Sequence, residues 1–287
     1  MSSSTDPPFK SVSIIGLGLI GGSIALAVRE RWPATRISGV DRKGALAHAT
    51  GSGAIDRAAD NAAEVADADL IVLAAPVRQN LKLLAEVAPR LPATAIVTDV
   101  GSTKRGIVDA AAVLGCLSFV GGHPIGGAEQ GGFGFARPDL FNHRPWIFTP
   151  TPKTPAAALD RMFEFARGVG AKPSSMDAAE HDRVMAFLSH LPQLAASALM
   201  DVIGSSAGEN GLRLAGRGLV DTTRLASSPP DTWRDVCATN ADAVGEALDV
   251  LIDRLSDLRA DLRSGEAVNR IFTEAARWRS ELMSGRE

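Results

Sequence analysis

The chain has 287 residues, 45% hydrophobic and 22% charged, with a formal net charge of −3. This is an ordinary globular composition, long enough for two domains around sizeable cores, and its near-balanced charge offers no footprint for nucleic acid or an anionic membrane surface. Two cysteines, Cys116 and Cys237, stand far apart in no metal or redox spacing, which argues against a disulfide framework and fits a reducing cytoplasm.

Residues 1–10 are polar with two prolines and lack the basic and apolar segments of a secretory leader; a disordered start is expected. No apolar run is expected to reach the roughly 18 residues of a membrane span. From Val12 an apolar run of strand length leads into Gly16, Gly18 and Gly21, spaced G-x-G-x-x-G, and then into a helical pattern towards Arg31. Gly16 suits the tight turn out of the strand, Gly18 lets a pyrophosphate approach the backbone, and Gly21 lets helix and strand pack closely. The first-turn N–H groups, from Leu19 and Ile20 onward, then face the phosphates. A second strand-like run, Arg36 to Val40, ends in Asp41, where a carboxylate can accept hydrogen bonds from the ribose of NAD. The neighbouring Arg42 leaves NADP open.

Further along, Leu70 to Ala75 reads as a buried parallel strand broken at Pro76, and Val77 to Leu91 as a helix. A strand over 95–99 and a helix to Leu114 follow, then a strand over 117–121 with His123 at its end, a glycine-rich loop, and a strand over 145–149. Alternating β and α units predict a doubly wound, mostly parallel sheet. One more strand near 172–176 places the domain boundary at about 175: a dinucleotide-binding domain over 11–175 and an all-α domain over 176–287. In the latter, Val244, Leu248, Leu251, Leu255, Leu258 and Leu262 are spaced 4, 3, 4, 3, 4, an a/d seam that fits either a core helix or one packed across a dimer.

Ligands in open α/β sheets lie beyond the carboxyl ends of strands, where Asp41, Ala75, Pro76, Asp99 to Ser102 and His123 fall. A histidine there can take a proton from a substrate hydroxyl while hydride leaves the same carbon. Ser102 can hydrogen-bond His123 or the substrate, or cap the helix that follows. On one straight helix, Asp182, Ser189 and Gln193 fall within about a 40° arc, with His181 and His190 off it. Pro192 is expected to bend that helix. Arg224 can anchor a carboxylate bidentately or pair with a nearby Asp. The five histidines show no metal-ligand spacing, so no metal is expected.

Together, the stretches G-L-G-L-I-G-G-S, D-V-G-S-T-K, G-G-H-P-I-G-G-A-E, E-H-D with S-H-L-P, and D-T-T-R-L-A-S-S with W-R-D resemble the prephenate/arogenate dehydrogenase family of tyrosine biosynthesis. The resemblance spans almost the whole chain and implies an N-terminal Rossmann domain with a helical dimerisation domain. It implies oxidative decarboxylation of prephenate to 4-hydroxyphenylpyruvate with hydride passing to NAD, or use of arogenate to give tyrosine directly. It further implies His123 as the catalytic histidine, Ser102 as the group positioning it, and Glu129 as a gating glutamate. Arg224 would be the substrate-carboxylate arginine, with Asp221, Trp233, Ser189 and His190 lining the pocket. Many prephenate-using members read S-H-L-P-H; here the last position is Gln193, a neutral amide near the substrate side chain. A β-hydroxyacid-type dehydrogenase would carry a proton-transfer lysine in the helical region, and none follows Ser174. A non-catalytic NAD-binding sensor leaves His123 and Arg224 without a role.

Overall fold

The computed structural model describes residues 6–127 and 130–284. It forms two compact units, residues 1–240 and 241–287.

In the first, β1 (Ser11–Ile15), α1 (Leu19–Arg31), β2 (Arg36–Val40), α2 (Lys43–Gly51), β3 (Arg57–Ala59), β4 (Leu70–Leu73), α3 (Val77–Val87), β5 (Ile96–Asp99), α4 (Arg105–Val113) and β6 (Phe119–Pro124) alternate. Then come β7 (Pro145–Thr149), α5 (Ala156–Gly168) and β8 (Lys172–Ser175), and the chain turns helical: α6 (Ala178–Met185), a π turn over 186–190, α7 (Leu191–Leu212), α8 (Arg217–Thr222) and α9 (Pro230–Thr239). The sheet order is β3-β2-β1-β4-β5-β6-β7-β8, parallel except where β7 runs against β6. The strand order reverses direction between β1 and β4, and the ligand crevice of such a sheet opens at that point.

All four residues of β4, and all four of β5, are buried, as parallel strands covered on both faces require. On one face Ile14, Ile24, Val28, Trp146, Phe148 and Phe165 pack together; on the other Ile15, Ile71, Leu73, Leu84, Val97 and Ile107 do. The change from α/β to helical architecture falls between β8 and α6, near residue 175. Compactness parts the chain only after Asn240, because α6 and α9 are hydrogen-bonded onto the sheet end. Phe9 corrects the expectation of a disordered start through residue 10. It is 2% exposed, edge-on to Phe165, and Asp69 accepts the backbone N–H of Lys10 and Ser11.

Pro192 lacks the N–H a continuous α-helix would use, and its ring crowds the carbonyl four residues back. The chain answers with the wider turn just before it, in which the Leu191 N–H reaches the Ala186 carbonyl five residues away. The helical run from Ala178 to Leu212 is long and apolar enough to cross a bilayer by length and mean hydropathy (1.2), against the sequence expectation. Its polar residues His181, Asp182, His190 and Gln193 are nonetheless buried within the first unit.

The second unit consists of α10 (Ala241–Ala260) and α11 (Glu266–Ser284), bridged by an Arg270–Asp257 ion pair of 3.3 Å. Leu255 and Leu262 of the heptad seam are exposed, as are Phe272, Trp278 and Leu282.

Candidate active site

The turn after β1 is built as the glycine spacing demands. Gly16 has φ +104° and donates its N–H to Val40. A Cβ on Gly21 would lie 1.9 Å from the Gly16 carbonyl oxygen, so only glycine lets α1 sit this close. A Cβ on Gly18 would meet nothing within 4 Å, because Gly18 faces an open groove. Asp41 accepts the Leu17 N–H at 2.6 Å through one carboxylate oxygen and the Arg42 N–H at 2.6 Å through the other. It is thereby fixed at the end of β2. Gly16, Gly18, Asp41, Arg42, Ala75 and Pro76 line one pocket of about 540 Å³. Gly18, Leu19, Ile20, Ala75, Pro76, Ser102 and His123 line an adjoining cleft of about 600 Å³. These residues fit a dinucleotide: the empty space over Gly18, the first-turn N–H groups of α1 and the fixed acid suit phosphate and ribose. Asn80, buried on α3, holds the β4 end open by accepting from Ala75 and donating to Leu73.

At the far side of the cleft stands His123, on β6 and partly exposed. Its Nδ1 lies 2.9 Å from Nε2 of the fully buried His181, and His181 Nδ1 lies 2.8 Å from Oδ1 of Asp182. Asp182 also accepts the Lys104 N–H (2.7 Å) and the Arg105 N–H (2.9 Å), capping α4 from outside its own helix. Burial opposes ionisation of Asp182, but the hydrogen bonds from His181, Arg105 and Lys104 prevail and hold its carboxyl below the usual range. Burial pushes the His123 imidazole well below its ordinary value, and the nearby His181, Lys104 and His190 push the same way. His123 is therefore a neutral base around pH 7.

Beneath the loop, Lys104 Nζ donates to the Asp99 carboxylate and, at 2.8 Å, to the Gly122 carbonyl beside His123. Burial pulls the Lys104 ammonium below its usual value, and Asp99 works against that. On the other wall, Thr103 and Thr239 hydroxyls meet at 2.8 Å, fastening α9 to the loop, and Thr232, Asp235 and Val236 complete the cleft.

Several expectations are corrected. Ser102 lines the cleft without a hydrogen bond to His123, whose Nδ1 meets His181 instead, and the first N–H groups of α4 are capped by Asp182 rather than by Ser102. Gln193 presents no free amide: its Nε2 donates to the Leu225 carbonyl (2.7 Å) and to Ser197 (3.3 Å), and its Oε1 accepts from Ser228 (3.0 Å). It fastens the 224–228 segment to α7. Trp233 joins Gln193 around a separate pocket of about 520 Å³ and lies edge-on to His190. Arg224 and Asp221 are exposed and line neither pocket, and Ser189 is half-buried on the π turn. His190 is fully buried; its Nδ1 lies 3.4 Å from Asn240 Nδ2, while its Nε2 has no partner. Glu129 lies outside the described residues. Sequence reasoning placed Asp99 at the ligand end of its strand but missed His181 and Lys104 as site-builders. The signal available was a His-Asp pair right after an Asp177 N-cap, and a lysine five residues beyond a strand-end aspartate.

Residues 24–174 match the family described as prephenate dehydrogenase, nucleotide-binding domain, and residues 177–273 that described as prephenate dehydrogenase, dimerization domain. The chain is 36% identical over 281 residues to the prephenate dehydrogenase of Bacillus subtilis, covering 95% of this chain and 76% of that protein. It is 33% identical over 287 residues to the cyclohexadienyl dehydrogenase of Zymomonas mobilis, covering 96% of each. The crystal structure of A. aeolicus prephenate dehydrogenase in complex with hydroxyphenyl propionate and NAD+ matches with TM-score 0.88 at 31% identity, over 95% of this chain and 98% of that one.

Proposed function

The chain belongs to the prephenate dehydrogenase family, and on that premise we propose that it converts prephenate to 4-hydroxyphenylpyruvate with His123 as its base. It is an NAD-dependent dehydrogenase. NAD+ held along Gly16, Gly18, Leu19, Ile20, Asp41 and Pro76 supplies the hydride acceptor. The observation that carries the assignment of the base is His123 on the cleft wall, with Nδ1 engaged by His181 and Nε2 left for the substrate.

The ring hydroxyl donates to His123 Nε2. As the C–H bond on the same carbon gives up hydride, positive charge grows there and the hydroxyl proton shifts towards the imidazole. The bond to the ring carboxylate then breaks, its electron pair enters the ring, and CO2 leaves. The proton returns to the new phenol, so the balance needs no external acid or base. Ser102, on the same wall, is a second donor to the hydroxyl oxygen. On the family resemblance, Arg224, Asp221, Trp233, Ser189 and His190 would serve the substrate side chain and carboxylates, with Gln193 holding the Arg224 segment in place.

A second reading, use of arogenate as well, is favoured by the Zymomonas mobilis relative, named for cyclohexadienyl rather than prephenate specificity. The family's dimerization domain covers 177–273, and apolar side chains stand exposed on α7 (Leu199, Val202) and α11 (Phe272, Trp278). These support a homodimer through the helical part, and the two free cysteines fit a reducing cytoplasm. Absorbance at 340 nm with prephenate or arogenate, each with NAD+ or NADP+, tests the reading. Reduction of NAD+ with prephenate, abolished in His123→Ala, is expected; silence with both substrates would overturn it.

A further inference from the structure

We propose that His181 and Asp182 are positioning residues that select the reactive tautomer of His123. This rests on the reading of His123 as the base. Each step follows from which atoms can donate. An ionised Asp182 only accepts, so His181 must hold its proton on Nδ1 to bond it. A neutral His181 then offers a bare Nε2, and His123 must meet it with Nδ1–H. That leaves His123 Nε2 without a proton, the form that can take one from a hydroxyl.

The chain of bonds is anchored at its far end. Asp182 receives two backbone N–H groups at the start of α4, and its own carbonyl accepts from Asn240 Nδ2 at 2.8 Å. His181 is fully enclosed, with its ring tilted 66° to that of His123 at a centroid distance of 5.1 Å. A structural role for this corner needs only Asp182, which caps α4 by itself. His181 adds nothing to the cap, yet it commits one ring nitrogen to Asp182 and the other to His123. Lys104, from the loop before α4, and His190, from the π turn, are the other charged or titratable groups acting on His123.

Two variants separate positioning from structure. In His181→Gln the side-chain amide reaches the place of Nε2 and can still accept from His123, while losing Asp182. In His181→Asn it reaches the place of Nδ1 and can still donate to Asp182, while losing His123. Positioning predicts that His181→Asn loses at least about tenfold in kcat, out of the 10²–10⁴-fold a general base supplies, with KM for prephenate and NAD+ little changed. It also predicts that His181→Gln retains most of kcat. The opposite order, equal losses, or wild-type kcat in both would overturn the proposal. On the unaltered enzyme, ¹⁵N-histidine NMR should find His123 protonated at Nδ1 and bare at Nε2; the reverse tautomer would overturn it whatever the variants do. His123→Ala is measured beside them. If it keeps turnover, the base assignment itself fails; if it is inactive while His181→Asn is not, only the positioning role fails.

Discussion

Replacing Lys104 by methionine probes the charge buried beneath the catalytic loop. Lys104 is 0% exposed and Asp99 1%, and the ammonium reaches both the Asp99 carboxylate and the Gly122 carbonyl. Methionine fills a similar volume without the charge. Asp99 would keep only the N–H groups of Gly101 (2.8 Å) and Gly122 (3.2 Å). Removing one partner of a buried pair costs about 3–5 kcal/mol. At roughly 2–4 °C per kcal/mol for chains of this size class, the unfolding midpoint should fall on the order of 10 °C. Asp99→Asn should cost comparably, since it strands the buried ammonium instead. The double variant Asp99→Asn/Lys104→Met, with no charge left to strand, should be more stable than the two single losses added together by about 2 kcal/mol or more. Thermal melts and urea unfolding followed by circular dichroism measure the midpoints and free energies of all three. Additive single effects, or a Lys104→Met midpoint within about 2 °C of the parent, would refute the reasoning. Because Gly122 directly precedes His123, the same variant should also lower kcat.

Acid should weaken the fold through its buried histidines. Burial, aided by His181 and opposed by Asp182, takes His190 from 6.5 to about 4. The unfolded chain therefore binds the proton first as pH falls. His190's contribution, about 2–3 kcal/mol, is complete above about pH 6.5 and is lost between there and about 4, with His123 shifted in the same direction. Urea midpoints at pH 7.5 and 5 check this, and a midpoint that rises on acidification contradicts it. Between pH 8 and 6, kcat should not fall, since His123 stays neutral. Gly21→Ala should lower both stability and NAD+ affinity, because its Cβ strikes the Gly16 carbonyl. Gly18→Ala should weaken NAD+ alone, because its methyl enters an open groove; calorimetric titration beside thermal melts separates the two, and unchanged binding in Gly18→Ala counts against the phosphate site. Gln193→Ala removes the donor to Leu225. It should raise KM for the substrate severalfold with NAD+ affinity unaltered, and an unchanged KM would show that the 224–228 segment needs no such fastening.

The nucleotide half was legible because its signals are local. The run Leu70–Leu73 is apolar on both faces, the glycine spacing encodes a turn, and Asp41 closes a strand. The other half depends on contacts that no window reveals. His181 meets His123 across 58 residues, and Asp182 finds the α4 backbone across 78. The helical arc failed for a nearer reason. On an uninterrupted helix His190 lies about 180° from His181, nine residues on at about 100° each. The π turn over 186–190 takes in one extra residue and swings everything beyond it by about 100°. That turn brings His190 onto the buried face with His181, Asp182 and Met185.

The π turn therefore links Pro192 to the site. Without that proline, nothing local would oppose an unbroken α-helix, and His190 would face away from Trp233 and Asn240. Asp182 makes a second such link, since the carboxylate that docks α6 onto α4 is the one that orients His181. Docking of the helical segment and readiness of the base are thus one event. Any variant that lifts α6 from α4, such as Asp182→Ala, should lose the reactive tautomer of His123 along with the cap, although Asp182 touches neither substrate nor cofactor.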